Sequence, residues 1–188
     1  MCRRHRVPHE FMTDYVKDSL AVFHLYKSLA EKALAQISDD DFFRQIDAES
    51  NSVAIIIKHV AGNMRSRWTD FLTADGEKPT RDRDGEFIVH NATRADYMKE
   101  WQEGWHLVFD ALQPLSNADL ERKVMIRNEP HSVMQAINRQ VAHYANHIGQ
   151  IIFLCKHLSA DHWTAVTIPR NRSRDFNAAV AKGEKSQR

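Results

Sequence analysis

The chain has little of what marks several large protein classes. Only two of its 188 residues are cysteine, Cys2 and Cys155, too few for a disulfide framework. Six glycines and five prolines disfavour a turn-rich β architecture and leave long helices as the expectation. No apolar run is long enough to span a bilayer, and the basic N-terminus is not followed by a signal-type apolar segment. A reducing cytoplasm is therefore the expected location. Neither sign of charge dominates: the formal net charge is +1, which gives no general attraction to nucleic acid or to an anionic membrane. A glycine-rich phosphate loop, a paired-cysteine zinc site and a serine nucleophile are not signalled.

What is present is 43% hydrophobic and 27% charged sequence, enough for one domain with a real core. A 3.6-residue apolar period predicts a first helix from Thr13 to Ile37, on Val16, Leu20, Phe23, Ala30 and Leu34. Ser38 then opens a short helical turn. A second helix starts near Ser50 to Ser52 and carries Val53, Ile57, Val60, Met64, Trp68 and Phe71. Ala74 to Asn91, with Gly76, Pro79 and Gly85, reads as a long loop. Thr93 with Asp96 opens a third helix through Tyr97, Trp101, Trp105, Val108 and Leu112, ended by Pro114. Leu120 to Arg127 alternates weakly, as a short strand or an extended connector. Ser132 with Gln135 opens a fourth helix that runs to Leu158.

The fold class is thus all-α, a four-helix bundle with a long crossover connection between helices two and three. Residues 1–11 read as a loose basic extension, with Met12 as an alternative start. Residues 12–169 form the bundle, and 170–188 a flexible basic tail, solvated rather than a nucleic-acid arm.

Eleven histidines are many for this length, and three stand out. His143 and His147 are four apart, so a helix puts both imidazoles on one face, on the flank of the apolar stripe. His59 lies on the second helix, with Asn63 and Arg67 one and two turns later on the same strip. Three imidazoles on neighbouring helices would present a three-nitrogen face to a divalent metal, leaving positions for water or substrate. The alternative is that each histidine is a satisfied core or surface residue, and spacing alone does not decide between the two. Tyr144 stands where the zinc-protease pattern needs a glutamate, so that pattern's general base is missing. His24, His90, His106, His131, His157 and His162 have no partner at ligand spacing. Trp68, Trp101 and Trp105 read as core, with a substrate-lining role open to one of them, and Cys155 reads as a small buried hydrophobe.

The stretches Glu49 to Asn63, Ser66 to Thr73 and Asp75 to Pro79, with Ala136 to Gln150 and Ile168-Pro169-Arg170, together resemble the DinB-like superfamily and, within it, a largely uncharacterised bacterial subgroup. The resemblance covers Met12 to Asn177. It implies a four-helix bundle with a crossover, frequently dimeric, and a metal site made by His59, His143 and His147 holding zinc or nickel. Members of the superfamily include bacillithiol S-transferases and a mycothiol-dependent maleylpyruvate isomerase. The expectation is therefore a homodimeric thiol-dependent S-transferase acting on a small molecule, in which the metal activates a low-molecular-weight thiol. Arg67, Arg81 and Arg83 are candidate anchors for an anionic substrate or cofactor, and Asn63 a group that orients the site. A hydrolase using metal-bound hydroxide, and a non-catalytic metal-binding stress or interaction protein, remain as alternatives.

Overall fold

The computed structural model describes residues 14–89 and 91–186. The basic extension at 1–11, Met12 as a start, Cys2 and His90 lie outside the described residues. The described chain is mostly helical, with one two-stranded sheet: α1 (Tyr15–Leu34), α2 (Asp39–Phe43), α3 (Val53–Trp68), α4 (Arg94–Leu112), β1 (Lys123–Ile126), β2 (Glu129–Ser132), α5 (Val133–Ser159) and α6 (Ser173–Ala181). No helix among the described residues is long and apolar enough to cross a membrane.

The starts of the helices follow local chemistry. Ser38, Ser52, Thr93 and Ser132 each accept a hydrogen bond from a backbone N–H of the first turn, as their sequence positions predict. Asp14 does the same for α1, which begins at Tyr15, two residues later than the Thr13 start expected from periodicity. The far ends fall short of the apolar stripe: α1 stops at Leu34 and α3 at Trp68, while Ile37 and Phe71 are buried from the turns that follow.

α1 and α5 run the same way. Near their starts Tyr15 Oη donates to Asn138 Oδ1 (2.6 Å), and at their ends Ser159 Oγ donates to the Gln36 carbonyl (3.1 Å). α4 runs against them, because Arg94 at its start donates to the carbonyls of Leu34 (2.6 Å) and Ile37 (2.9 Å) at the end of α1. α3 runs with α4. Phe42, just upstream of α3, packs on Tyr97 in the first turn of α4, and Gly104 in mid-α4 lies against Met64 and Ala61 in mid-α3.

Two parallel neighbours require a connection that returns the length of α3, and residues 69–93 supply it. The Gly76 carbonyl accepts from Ser66 Oγ (2.7 Å), Glu86 sits over Gly62, and Lys58 Nζ donates to the carbonyls of Gly85 (2.7 Å) and Ile88 (2.8 Å). The segment read as a loop is therefore a strap along α3. With α4, α5 and the strap around it, α3 has thirteen of sixteen residues buried, so the polar side chains among those thirteen take partners inside.

Two features depart from expectation. Leu120 to Arg127 does contain a strand, but it pairs with a second, Glu129–Ser132, that the sequence did not announce. The turn between them puts Arg127 (φ 55°) and Asn128 (φ 61°) in the left-handed region, the two-residue turn that suits a tight hairpin. The tail expected to be flexible carries α6, none of whose residues is buried.

Candidate metal centre

On α3 the strip His59, Asn63, Ser66 and Arg67 is polar yet buried. α5, opened by the capping box at Ser132/Gln135, runs antiparallel to α3 beside it, and four-residue spacing puts His143 and His147 on the face turned to α3. The rings of His143 and His147 therefore meet His59. His59 Nε2 lies 3.3 Å from His143 Nε2, which lies 3.1 Å from His147 Nε2. All three ligand atoms fall within 4.8 Å of one another. Two nitrogens bound to one tetrahedral zinc at about 2.0–2.1 Å stand roughly 3.3 Å apart, so the spacing suits a shared cation.

Tautomers sharpen this. His59 Nδ1–H donates to Glu86 Oε2 (2.9 Å), and His147 Nδ1–H donates to Gln150 Oε1 (2.9 Å). These bonds on Nδ1 turn the Nε2 edge of each ring toward the centre of the cluster. Burial, followed by the neighbouring His147 and His59 and the Arg81 and Arg67 charges, pushes His143 down to about 3. Burial also lowers His147. These two rings are neutral at physiological pH, the form in which imidazole binds metal. His143 Nδ1 is buried with no hydrogen-bond partner among the described residues.

Behind His59 stands a carboxylate that sequence reasoning missed. Glu86 is buried on a 3-10 turn, Gly85–Phe87, and is gripped by Arg81 through Nε (2.8 Å) and Nη2 (3.0 Å). Burial alone would raise the Glu86 carboxyl, but the bonds from His59 and Arg81 outweigh it and hold the group below its ordinary value. A carboxylate on the outer nitrogen of a histidine fixes the ring and increases its basicity toward a metal. Glu86 can come this close because residue 62 is glycine: a Cβ there would lie 2.8 Å from Glu86 Cδ. The acids of the strap look alike in sequence, and the one available signal was Gly62 itself, an isolated mid-helix glycine three residues after His59.

A cleft of about 530 Å³ opens beside the histidines, lined by His59, His143, Asn63, Gln140 and a group of arginines. With this geometry in place, the sequence model of the family described as "Protein of unknown function (DUF1572)" is found to match residues 10–172. The chain belongs to the DUF1572 family. DUF1572 is a DinB-like family, so the resemblance read from the two histidine motifs holds at that level. No curated protein matches the chain.

The DUF1572 structure redistributes the roles expected of the other residues. Asn63 Oδ1 accepts from Tyr144 Oη (3.2 Å), which in turn accepts from Trp68 Nε1 (2.9 Å), a buried relay joining α3 to α5. Arg67 is spent on the strap, donating to the Gly76 carbonyl and to Glu77 (3.0 Å). Arg81 is buried on Glu86. Both are held by carboxylates, whereas Arg83 is exposed and lies over the Phe87 ring at 5.5 Å. Trp68, Trp101 and Trp105 are core and do not line this cleft. His24 stacks on Phe109 (4.0 Å between ring centroids), and His106 pairs with Asp110 (3.1 Å). Cys155 is buried, its thiol pushed up to about 12 chiefly by burial, which fits a packing role.

Proposed function

We propose that this DUF1572 protein is a metal-dependent enzyme on a DinB-like four-helix bundle, with α1, α3, α4 and α5 as the four helices and the strap as the crossover. His59, His143 and His147 would hold Zn²⁺ or Ni²⁺. The observation that carries the reading is the convergence of three Nε2 atoms, two with tautomers set by Glu86 and Gln150.

The reaction class we favour is transfer of a low-molecular-weight thiol to an electrophilic small molecule. The bound metal would lower the pKa of a sulfur or oxygen nucleophile so that its anion exists at neutral pH. The lining of the cleft favours the thiol over water: among the described residues it contains no aspartate or glutamate, so no carboxylate of the lining stands ready as a general base for hydrolysis. A thiol needs less help, since its own pKa is already within reach of neutrality. Within this scheme His59 orients on Glu86, Arg81 keeps that carboxylate ionised, and Arg81 and Arg83 of the strap line the cleft.

Elemental mass spectrometry on tag-free protein tests the reading. The expected result is about one zinc or nickel per chain in wild type, lost in both His59→Ala and His143→Ala. Metal-loaded protein should then conjugate a model electrophile only when thiol is added. Absence of metal after exposure to zinc and nickel salts would sink the reading, and turnover of esters without thiol would replace transferase by hydrolase.

A further inference from the structure

The cleft beside the histidines is lined by five arginines, Arg67, Arg81, Arg83, Arg127 and Arg139. Three of them are committed. Arg67 and Arg127 both bond Glu77 Oε2 at 3.0 Å, and Arg81 holds Glu86. The carboxylates that answer them are Glu77, Glu86 and, at the rim, Asp75, which accepts from the backbone N–H groups of Arg127 and Asn128. Among the described residues the lining itself carries five guanidiniums and no acid, and of these arginines Glu77 and Glu86 behind it engage only Arg67, Arg81 and Arg127.

That leaves Arg83 and Arg139. Both are exposed, and neither has a carboxylate within 4.0 Å among the described residues. Arg139 was not singled out by the sequence, although it precedes His143 by four and His147 by eight and so shares their strip on α5. Arg83 comes from the strap, over the Phe87 ring, which itself lies 4.9 Å from the His59 ring. Two planar guanidiniums lining one cleft suit an oxyanion, which accepts paired N–H bonds from such forks. Deeper in the same lining Arg67 Nε is buried with no hydrogen-bond partner.

We propose that this cleft binds the oxyanion of the substrate or thiol cofactor, a carboxylate or a phosphate, between Arg83 and Arg139, one helical turn from the histidines. The arginines as a binding site stand on their own, and only the direction of the reacting atom toward His143 rests on the metal reading above. Arg67 and Arg81 hold the walls in place, and the exposed pair takes the ligand. A clamp of this kind selects substrates by charge and aligns them for attack at the histidine end.

Isothermal titration calorimetry at low ionic strength tests the clamp, with inorganic phosphate and succinate as separate probes. The protein is used zinc-loaded, freed of excess metal, and also zinc-free. Wild type is expected to bind at least one probe, the tighter naming the anion class. Arg83→Gln/Arg139→Gln should weaken that binding at least tenfold with zinc content and melting temperature unchanged. Equal affinity in wild type and double variant overturns the proposal, as does binding of neither probe. Binding that vanishes without zinc yet ignores the double variant also overturns it, by putting the anion on the metal. A protein that takes up no zinc but binds anion through Arg83 and Arg139 would keep the clamp and discard the metal reading.

Discussion

The smallest residue at the centre has the largest leverage on it. Gly62 makes room for Glu86, and Glu86 sets the ring of His59. Gly62→Ala adds one methyl where the carboxylate now sits, so Glu86 must withdraw and the His59 ring loses its anchor. Loss of such an outer partner weakens metal binding by about 10–100-fold. The expected outcome is that loss, read by chelator competition, with helicity by circular dichroism retained. On helix propensity alone alanine would be favoured by up to about 1 kcal/mol. A variant that is more stable and binds metal as well as wild type would show that Glu86 does not position the site.

At the scale of elements, the strap and the hairpin are clasped by one side chain. Asp75 accepts from Glu77 N (2.7 Å) on its own segment and from Arg127 N (2.8 Å) and Asn128 N (2.7 Å) in the hairpin turn. The Glu77 bond first, opposed by burial and joined by the bonds from Asn128 and Arg127, holds its carboxyl below the ordinary 3.8. For an acid depressed in the folded state, the stabilising effect is complete above the unfolded value and fades as pH falls through the native one. Stability should therefore decline as pH drops below 3.8, and Asp75→Asn should flatten that acid limb while destabilising the protein near neutrality. Urea midpoints at pH 7 and on the acid side check this; parallel pH profiles for the two proteins would refute it. The clasp also marks the border of what the sequence discloses. Helix caps such as Ser52 and Thr93 are legible because the cap and its N–H are three residues apart, and the His143/His147 pair is legible for the same reason. Glu86 on His59, and Asp75 on a hairpin fifty residues away, depend on how the strap returns along α3, which no local pattern encodes. The second strand escaped because Glu129-Pro130-His131-Ser132 has no β-branched run, and its pairing comes from the turn at Arg127–Asn128.

Across the whole molecule, one aromatic from each long helix meets at a single point. Phe23 of α1 lies 6.1 Å from Trp68 of α3, 6.2 Å from Trp105 of α4 and 5.7 Å from Tyr144 of α5, measured between ring centroids. Tyr144 directly follows His143, so the core and the histidine cluster share a turn of α5, and the Trp68–Tyr144–Asn63 relay ties that turn to α3. A cation held by His59 on one helix and His143 and His147 on the other would cross-link the same two helices from the cleft side. Because such a site does not exist in the unfolded chain, binding adds to folding stability as RT ln(1 + [L]/Kd), about 2.7 kcal/mol at a hundredfold excess over Kd. The melting temperature of metal-free protein should rise with added zinc or nickel and keep rising logarithmically beyond saturation. His147→Ala should respond far less, since it removes one arm of the cross-link from a part-exposed position without opening the core. A melting temperature indifferent to metal in wild type, or a rise equal in the variant, would mean that the three imidazoles do not join α3 to α5 through a common ion.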